Sequence, residues 1–223
     1  MLLSLLLAGK NKSQPNAVVD YTRGVFELGQ HGHYVVINVS SPNTPGLRKL
    51  QGREQLQTLL GAVKQTRDAL ATRPPLLVKI APDMTDQDLE DVVAVVKAVG
   101  LEGIIVSNTT VARPGSLVST NAQEAGGLSG QPLFEPSTAV LRKVYQLTEG
   151  QIPLIGVGGV ASGAAAYAKI RNGASLVQLY TAMSLQGPSV VPRVKQELAA
   201  LLRQDGFEHV GQAVGVDVQS NSS

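Results

Sequence analysis

Five short clusters in this chain carry side chains whose types and spacing could do chemistry. Asn38-Val39-Ser40-Ser41-Pro42-Asn43-Thr44 holds two carboxamides, a hydroxyl at Ser41 as a candidate base, and a Pro-stiffened turn. Asn38 sits inside the apolar run Tyr34–Val39, where an unpaired amide is costly to bury, which favours a ligand contact. Lys79 is embedded between Val78 and Ile80. Read alone, it is a salt-bridged core lysine or a Schiff-base nucleophile of the kind used by barrel aldolases, the latter ranked first. Ser107-Asn108-Thr109-Thr110 adds hydroxyls and an amide, while Gly156 to Gly159 and Tyr180-Thr181 offer backbone N–H groups and a hydroxyl that could cradle a phosphate. Each cluster also has a plainer reading: Ser41 as a turn residue ahead of Pro42, an isolated asparagine as a cap.

Composition narrows the classes. The 223 residues include no Cys, which removes disulfides, thiolate nucleophiles, Cys-ligated zinc and iron–sulfur clusters together. Of three histidines, His31 and His33 lie in a Gly-rich turn without a carboxylate cluster and read as a solvated loop rather than a metal site. Lys+Arg of 19 against Asp+Glu of 17, with the basic residues scattered, gives no nucleic-acid footprint. The charged fraction of 16% with 23 glycines points to chain covered on both faces and many tight turns, hence to a folded domain rather than disorder. No apolar window reaches the roughly 18 residues of a membrane span. One domain over residues 1–216 is expected, with a polar tail over 217–223 that frays.

These clusters need elements to position them, and the periodicity supplies an alternation. The opening leucine run reads as a buried strand rather than a signal peptide, because it lacks a basic leader. Helical spacing follows over Gln14–Leu28, Glu54–Leu70, the capping-box start Thr85/Asp88 to Gly100, Pro136–Leu147, Ser162–Asn172 and Pro188–Gln204. Strands are expected at Tyr34–Val39, Leu76–Ile80, Gly103–Ser107, Pro153–Val157 and Ser175–Tyr180. Strict alternation means parallel strands, in a doubly wound sheet or a (β/α)8 barrel. Polar clusters follow so many different strands at the same end that a TIM-type barrel is favoured, with a phosphate site after the last two strands, against the helix that starts at Ser162. Counting backwards from there leaves about six of eight strands, the first quarter being absent. Residues Thr110–Glu135 form a connection too long to be idle. Ser40–Gly52, bounded by Pro42, Pro45, Gly46 and Gly52, suits a lid that closes over a ligand.

Together with Gly9-Lys10-Asn11-Lys12, Leu77-Val78-Lys79-Ile80-Ala81-Pro82-Asp83, Ser107-Asn108-Thr109-Thr110, Gly126-Gly127-Leu128-Ser129-Gly130, Ile155–Gly159 and Leu176–Thr181, the Asn38–Thr44 motif closely resembles the dihydroorotate dehydrogenase family. The motifs run in register from Gly9 to about Gly215. Serine rather than cysteine at position 41 resembles the membrane-associated class that passes electrons to quinone, which in eukaryotes lies on the mitochondrial inner membrane. The resemblance implies oxidation of dihydroorotate to orotate through FMN, in pyrimidine (UMP) biosynthesis. It implies Ser41 as general base, and substrate contacts from Asn38, Asn43, Asn108 and Thr109. The implied flavin contacts are Asn38, Lys79, Ser107, Gly130, Gly159, Tyr180 and Thr181, with no metal.

The sequence departs from the family at three places. Leu7 stands where the family has a flavin-contacting asparagine. The family's first barrel strands have no counterpart, nor do the N-terminal helices that form its quinone entrance and membrane anchor. A catalytically inactive remnant or isoform is therefore the alternative expectation, and the chain itself shows no evident targeting segment.

Overall fold

The computed structural model describes residues 4–7 and 16–219. Strands and helices alternate: β1 (Ser4–Leu7), α1 (Ala17–Leu28), β2 (Tyr34–Asn38), α2 (Arg53–Asp68), β3 (Leu76–Ile80), α3 (Asp86–Val99) and β4 (Gly103–Val106). After a long connection come α4 (Phe134–Thr148), β5 (Leu154–Val157), α5 (Gly163–Arg171), β6 (Ala174–Gln178), α6 (Thr181–Gln186), α7 (Val190–Gln204) and α8 (Val216–Gln219). The chain forms two compact units, Met1–Ile104 and Ile105–Ser223, with the boundary inside β4. The Gly9–Lys12 motif lies outside the described residues, as do 220–223 of the expected tail.

In the first unit β1, β2 and β3 are parallel neighbours, in a register that sets Asn38 opposite Lys79. Val35, Val36 and Ile37 are buried, as a β-branched run without polar alternation requires. Helix α2 turns Leu56, Leu59, Leu60 and Val63 inward, each burial contributing roughly 1.5–3 kcal/mol. At the strand starts the buried Arg67 guanidinium donates to the Pro74 carbonyl (2.7 Å) and to Glu102 (2.8 Å), while the same carboxylate accepts from the Leu76 amide (2.8 Å). That fixes α2, β3 and the approach to β4 in one register. The Thr85/Asp88 capping box forms with both bonds made, and Gly100 ends α3 in the left-handed conformation.

In the second unit β5 and β6 are parallel, with Val157 opposite Gln178. No strand lies beyond β6 among the described residues, and Leu176 on it is 51% exposed. Val160, Ala166, Ala182, Val190 and Val194 form one core cluster; Tyr167, Ile170, Leu202 and Ala213 form another.

Two expectations need correction here. The last strand stops at Gln178, and Tyr180-Thr181 opens a short helix, α6, that the periodicity does not announce. The tail does not fray at Asp217: α8 runs to Gln219, because Asp217 accepts from Arg171 (2.6 and 2.8 Å) and Val218 is buried.

Candidate functional site

In the first unit the chemistry gathers past the C-terminal ends of β2 and β3. Asn38 is buried, its carbonyl accepting from the Tyr21 hydroxyl (2.6 Å). Its side-chain Oδ1 accepts from the Ser40 amide (3.4 Å) and lies 3.1 Å from the Ser40 hydroxyl, which in turn is 2.7 Å from the Lys79 carbonyl. Asn38 therefore meets part of the cost of its burial within the protein, and burial alone no longer argues for a ligand. What the network does is hold the strand end rigid directly before Ser41. The Ser41 Oγ accepts from the Asn43 amide at 3.3 Å, while Asn43 itself is exposed.

Lys79 points its register-mate's way at the same strand end, yet its ammonium has no hydrogen-bond or ion-pair partner among the described residues. Burial pushes its pKa below the usual lysine range. Lys79 is only half-buried, so water reaches its ammonium, and an electron-rich polar group fits that place.

In the second unit Ser107, the turn after β5 and the start of α6 come together. The Ser107 amide donates to the Val157 carbonyl (3.3 Å), and the peptide before Ser107 is cis. Since Val157 lies opposite Gln178, Gly158-Gly159 and Leu179–Thr181 leave the sheet side by side. Thr181 Oγ1 pairs with Ser129 Oγ (3.0 Å), and a Cβ on Gly130 would stand 3.2 Å from Thr181 Cγ2, so Gly130 is fitted against Thr181. Gly159 has φ +72, and a Cβ there would meet Phe134 Cβ at 2.5 Å, so only glycine lets this turn pack against the start of α4. Tyr180 is 77% exposed. Asn108 Oδ1 accepts from the Thr109 amide at 2.8 Å, which sets the carboxamide back onto its own loop.

The helix expected to cap a phosphate after Gly159 is otherwise engaged. Ser162 Oγ accepts from the Ala165 amide (3.2 Å) and the Glu197 carboxylate accepts from the Gly163 amide (2.6 Å), so an anion already sits at the N-terminus of α5. The amide of Gly163 is thereby excluded from a phosphate cradle, leaving the Gly158-Gly159 turn and Tyr180-Thr181.

Sequence reasoning missed several residues that organise the site. Tyr21 and Ser40 brace Asn38, and Arg48 and Gln51 tie the Ser41 loop to the end of β3. In the second unit Lys169 is fully buried, with Nζ 2.5 Å from Ser137 Oγ and 3.3 Å from the Phe134 carbonyl, directly under the Gly158-Gly159 turn. His31 and His33 are exposed.

Comparison with known proteins adds the following. The family model of dihydroorotate dehydrogenase matches residues 4–202. The chain is 59% identical over 215 residues to the mitochondrial dihydroorotate dehydrogenase (quinone) of Oryza sativa subsp. japonica, covering 94% of this chain and 46% of the relative. It is 55% identical over 211 residues to the mitochondrial protein of the same name from Mus musculus, covering 94% and 53% respectively. The crystal structure of ligand-free DHODH from Eimeria tenella superimposes with a TM-score of 0.93 at 43% identity, covering 97% of this chain and 64% of that one. These neighbours are TIM-type (β/α)8 barrels, and this chain has their fold with six of the strands. The chain spans about half the length of the curated relatives it matches.

Proposed function

Because the chain belongs to the dihydroorotate dehydrogenase family, we propose that it carries the substrate and flavin residues for oxidising dihydroorotate to orotate, with electrons passing through FMN to quinone. The observation that carries this reading is Lys79, a half-buried lysine whose ammonium has no partner among the described residues, held one hydrogen-bonded residue away from the loop of Ser41.

The reaction removes a proton from carbon five and a hydride from carbon six. When bound, FMN supplies the acceptor for that hydride. Ser41 takes the proton. Its hydroxyl is a poor base at its ordinary pKa, and the Asn43 amide aimed at Oγ stabilises negative charge as the hydroxyl gives up its own proton to a bound water. Asn38, Asn43, Asn108 and Thr109 offer the alternating donors and acceptors that a flat pyrimidine edge requires. Lys79 would contact the flavin and supply positive charge beside it. Ser107, Gly130, Gly159, Tyr180 and Thr181 would hold the flavin, with Gly130 fitted against Thr181 and Gly159 against Phe134. Relatives from rice and mouse are named mitochondrial, and we extend that to the inner membrane, where quinone resides. No helix among the described residues is long and apolar enough to cross a membrane.

The depressed pKa of Lys79 also suits a Schiff-base enzyme, as in barrel aldolases. Borohydride trapping of a carbonyl substrate on Lys79 would identify that chemistry.

The test joins this chain behind the N-terminal portion of the rice relative and follows bleaching of bound FMN on anaerobic addition of dihydroorotate. Bleaching is expected, and Ser41→Ala should slow it by a factor on the order of 10² to 10⁴, the span of a positioned base. FMN that stays bound but is not bleached, or full speed in Ser41→Ala, would overturn the assignment. The 223-residue chain without that portion is expected to purify colourless; stoichiometric FMN and dye reduction in it would show that six strands suffice.

A further inference from the structure

The loop Ser40–Gly52 is not one mobile lid. Its second half is fixed: Leu47 is fully buried in a 3-10 turn over Leu47–Gln51, and the buried Gln51 Oε1 accepts from the Ala81 amide at 2.9 Å. Its first residue is fixed as well, since Ser40 is fully buried and bonded to β3. Between these anchors lies Ser41–Gly46, with Asn43, Pro45 and Gly46 exposed.

One side chain spans that interval. Arg48 Nε donates to the Ser40 carbonyl at 3.1 Å, and its Nη1 donates to Asp83 Oδ2 at 2.9 Å, just past the end of β3. The guanidinium thus closes a ring of chain from Ser40 through Ser41–Gly46 and back to Ser40, and fastens that ring to the strand bearing Lys79. Both side chains are about three-quarters shielded, at 25% and 22% exposed. Planar fork geometry is what lets a single cation reach a carbonyl and a carboxylate together; an ammonium cannot hold both in fixed directions.

We infer that Arg48 is the positioning residue for Ser41: its guanidinium clamps the two ends of the Ser41–Gly46 segment and latches it to Asp83, so that only these six residues move when substrate enters. This rests on the reading of Ser41 as the base.

The absence of cysteine makes a direct test available, because Ser41→Cys introduces the only thiol in the chain. Its labelling rate with a small disulfide reagent reads how tightly position 41 is held, and Ser116→Cys, in the exposed stretch of the next long loop, serves as the control. Adding Arg48→Gln or Asp83→Asn to Ser41→Cys should speed labelling about fivefold, the opening expected from loss of a partly exposed ion pair. Arg48→Lys should speed it too, since charge without the fork does not restore the clamp. The control thiol and the hydrogen exchange of β2 and β3 amides should not change. Unchanged labelling in Arg48→Gln and Asp83→Asn, full rescue by Arg48→Lys, or a rise shared by the control and the strands would overturn the clamp. Orotate, added to the same variants joined behind the rice N-terminal portion with any cysteine of that portion replaced, separates the two ideas. Labelling that responds to Arg48→Gln but not to orotate supports the clamp and counts against the base assignment. Labelling slowed by orotate but indifferent to Arg48→Gln does the reverse.

Discussion

Lys79 in the first unit and Lys169 in the second are opposites. Lys79 lies on β3 and Lys169 in the last turn of α5, and burial lowers the pKa of each, Lys169 to about 7. Lys169 has partners: Ser137 Oγ, the Phe134 carbonyl, and the Phe134 ring with its centroid 5.1 Å away. It closes a junction between α4, α5 and the Gly158-Gly159 turn, and no polar group is left over. Lys79 has no partner among the described residues. A buried lysine whose protons are taken up by the protein is a strut; a half-buried one whose ammonium meets water and no acceptor among the described residues is open to a ligand. The comparison also shows two ways to prepare a site. The first unit does it with side chains locked by hydrogen bonds, the second with glycine backbone that has no room for a Cβ.

The sharpest way to break this contrast is to remove each lysine from the protein completed with the rice N-terminal portion. Lys79→Met should lower FMN content and slow dihydroorotate-driven bleaching by roughly 10² or more, as loss of a preorganised electrostatic contact does. Lys169→Met should leave the bleaching rate within about threefold, because an apolar side chain of similar length fills the same space. Equal losses of flavin and rate in the two variants would erase the distinction between ligand and strut.

A second measurement uses pH. Lys169 has a folded pKa of about 7, below the ordinary value of 10.5. Above 10.5 the lysine is neutral in both states and contributes nothing. Between 7 and 10.5 the unfolded chain binds a proton that the folded chain does not, so stability rises with pH over that window. Below 7 the desolvation penalty is present in full. The folding equilibrium of the wild-type chain should therefore gain up to about tenfold per pH unit between pH 7.5 and 9.5 relative to Lys169→Met. Parallel pH curves for the two proteins would mean that Lys169 stays protonated in its pocket.

Why one lysine was visible in the sequence and the other was not is a matter of range. Lys79 stands out because Val78 and Ile80 flank it on a strand, where alternation buries its neighbours and makes its charge an anomaly. Lys169 sits in the last turn of α5, where a cation is what the helix dipole favours, so it reads as surface. Its burial is decided by Ser137 and Phe134, 32 and 35 residues away. The same rule separates the caps. Thr85 with Asp88, and Ser162, were legible because the partner lies within four residues, whereas the Glu197 carboxylate that closes the N-terminus of α5 comes from 34 residues on. The alternation and the glycine turns are local and were readable, as were the ends of the strands other than the last, which stops at Gln178 because Thr181 opens α6. Arg48, Asp83 and Gln51 acquire their roles only when β3 is laid against the loop after β2.

The smallest expected effect is the most diagnostic. Ser137 is fully buried and its hydroxyl, which also reaches the Leu133 carbonyl at 2.7 Å, is the nearest partner of Lys169. Ser137→Ala takes away that oxygen with little change in volume, and so leaves Lys169, unlike the half-buried Lys79, as a fully buried ammonium short of an acceptor. Below the lysine's titration the charged form should then cost about 1–2 kcal/mol of stability, the usual penalty for a polar group deprived of its bond in the interior. At pH 9.5, where the lysine is neutral in the folded state, part of that cost should disappear, and the titration of Lys169 followed by its side-chain NMR shifts should move below 7. Since Ser137 is not among the residues proposed to touch substrate or flavin, dihydroorotate-driven bleaching at pH 8 should be unaffected. A Ser137→Ala chain of undiminished stability, with Lys169 titrating where it did before, would show that the Phe134 carbonyl and ring are sufficient, and that partners do not divide the two lysines.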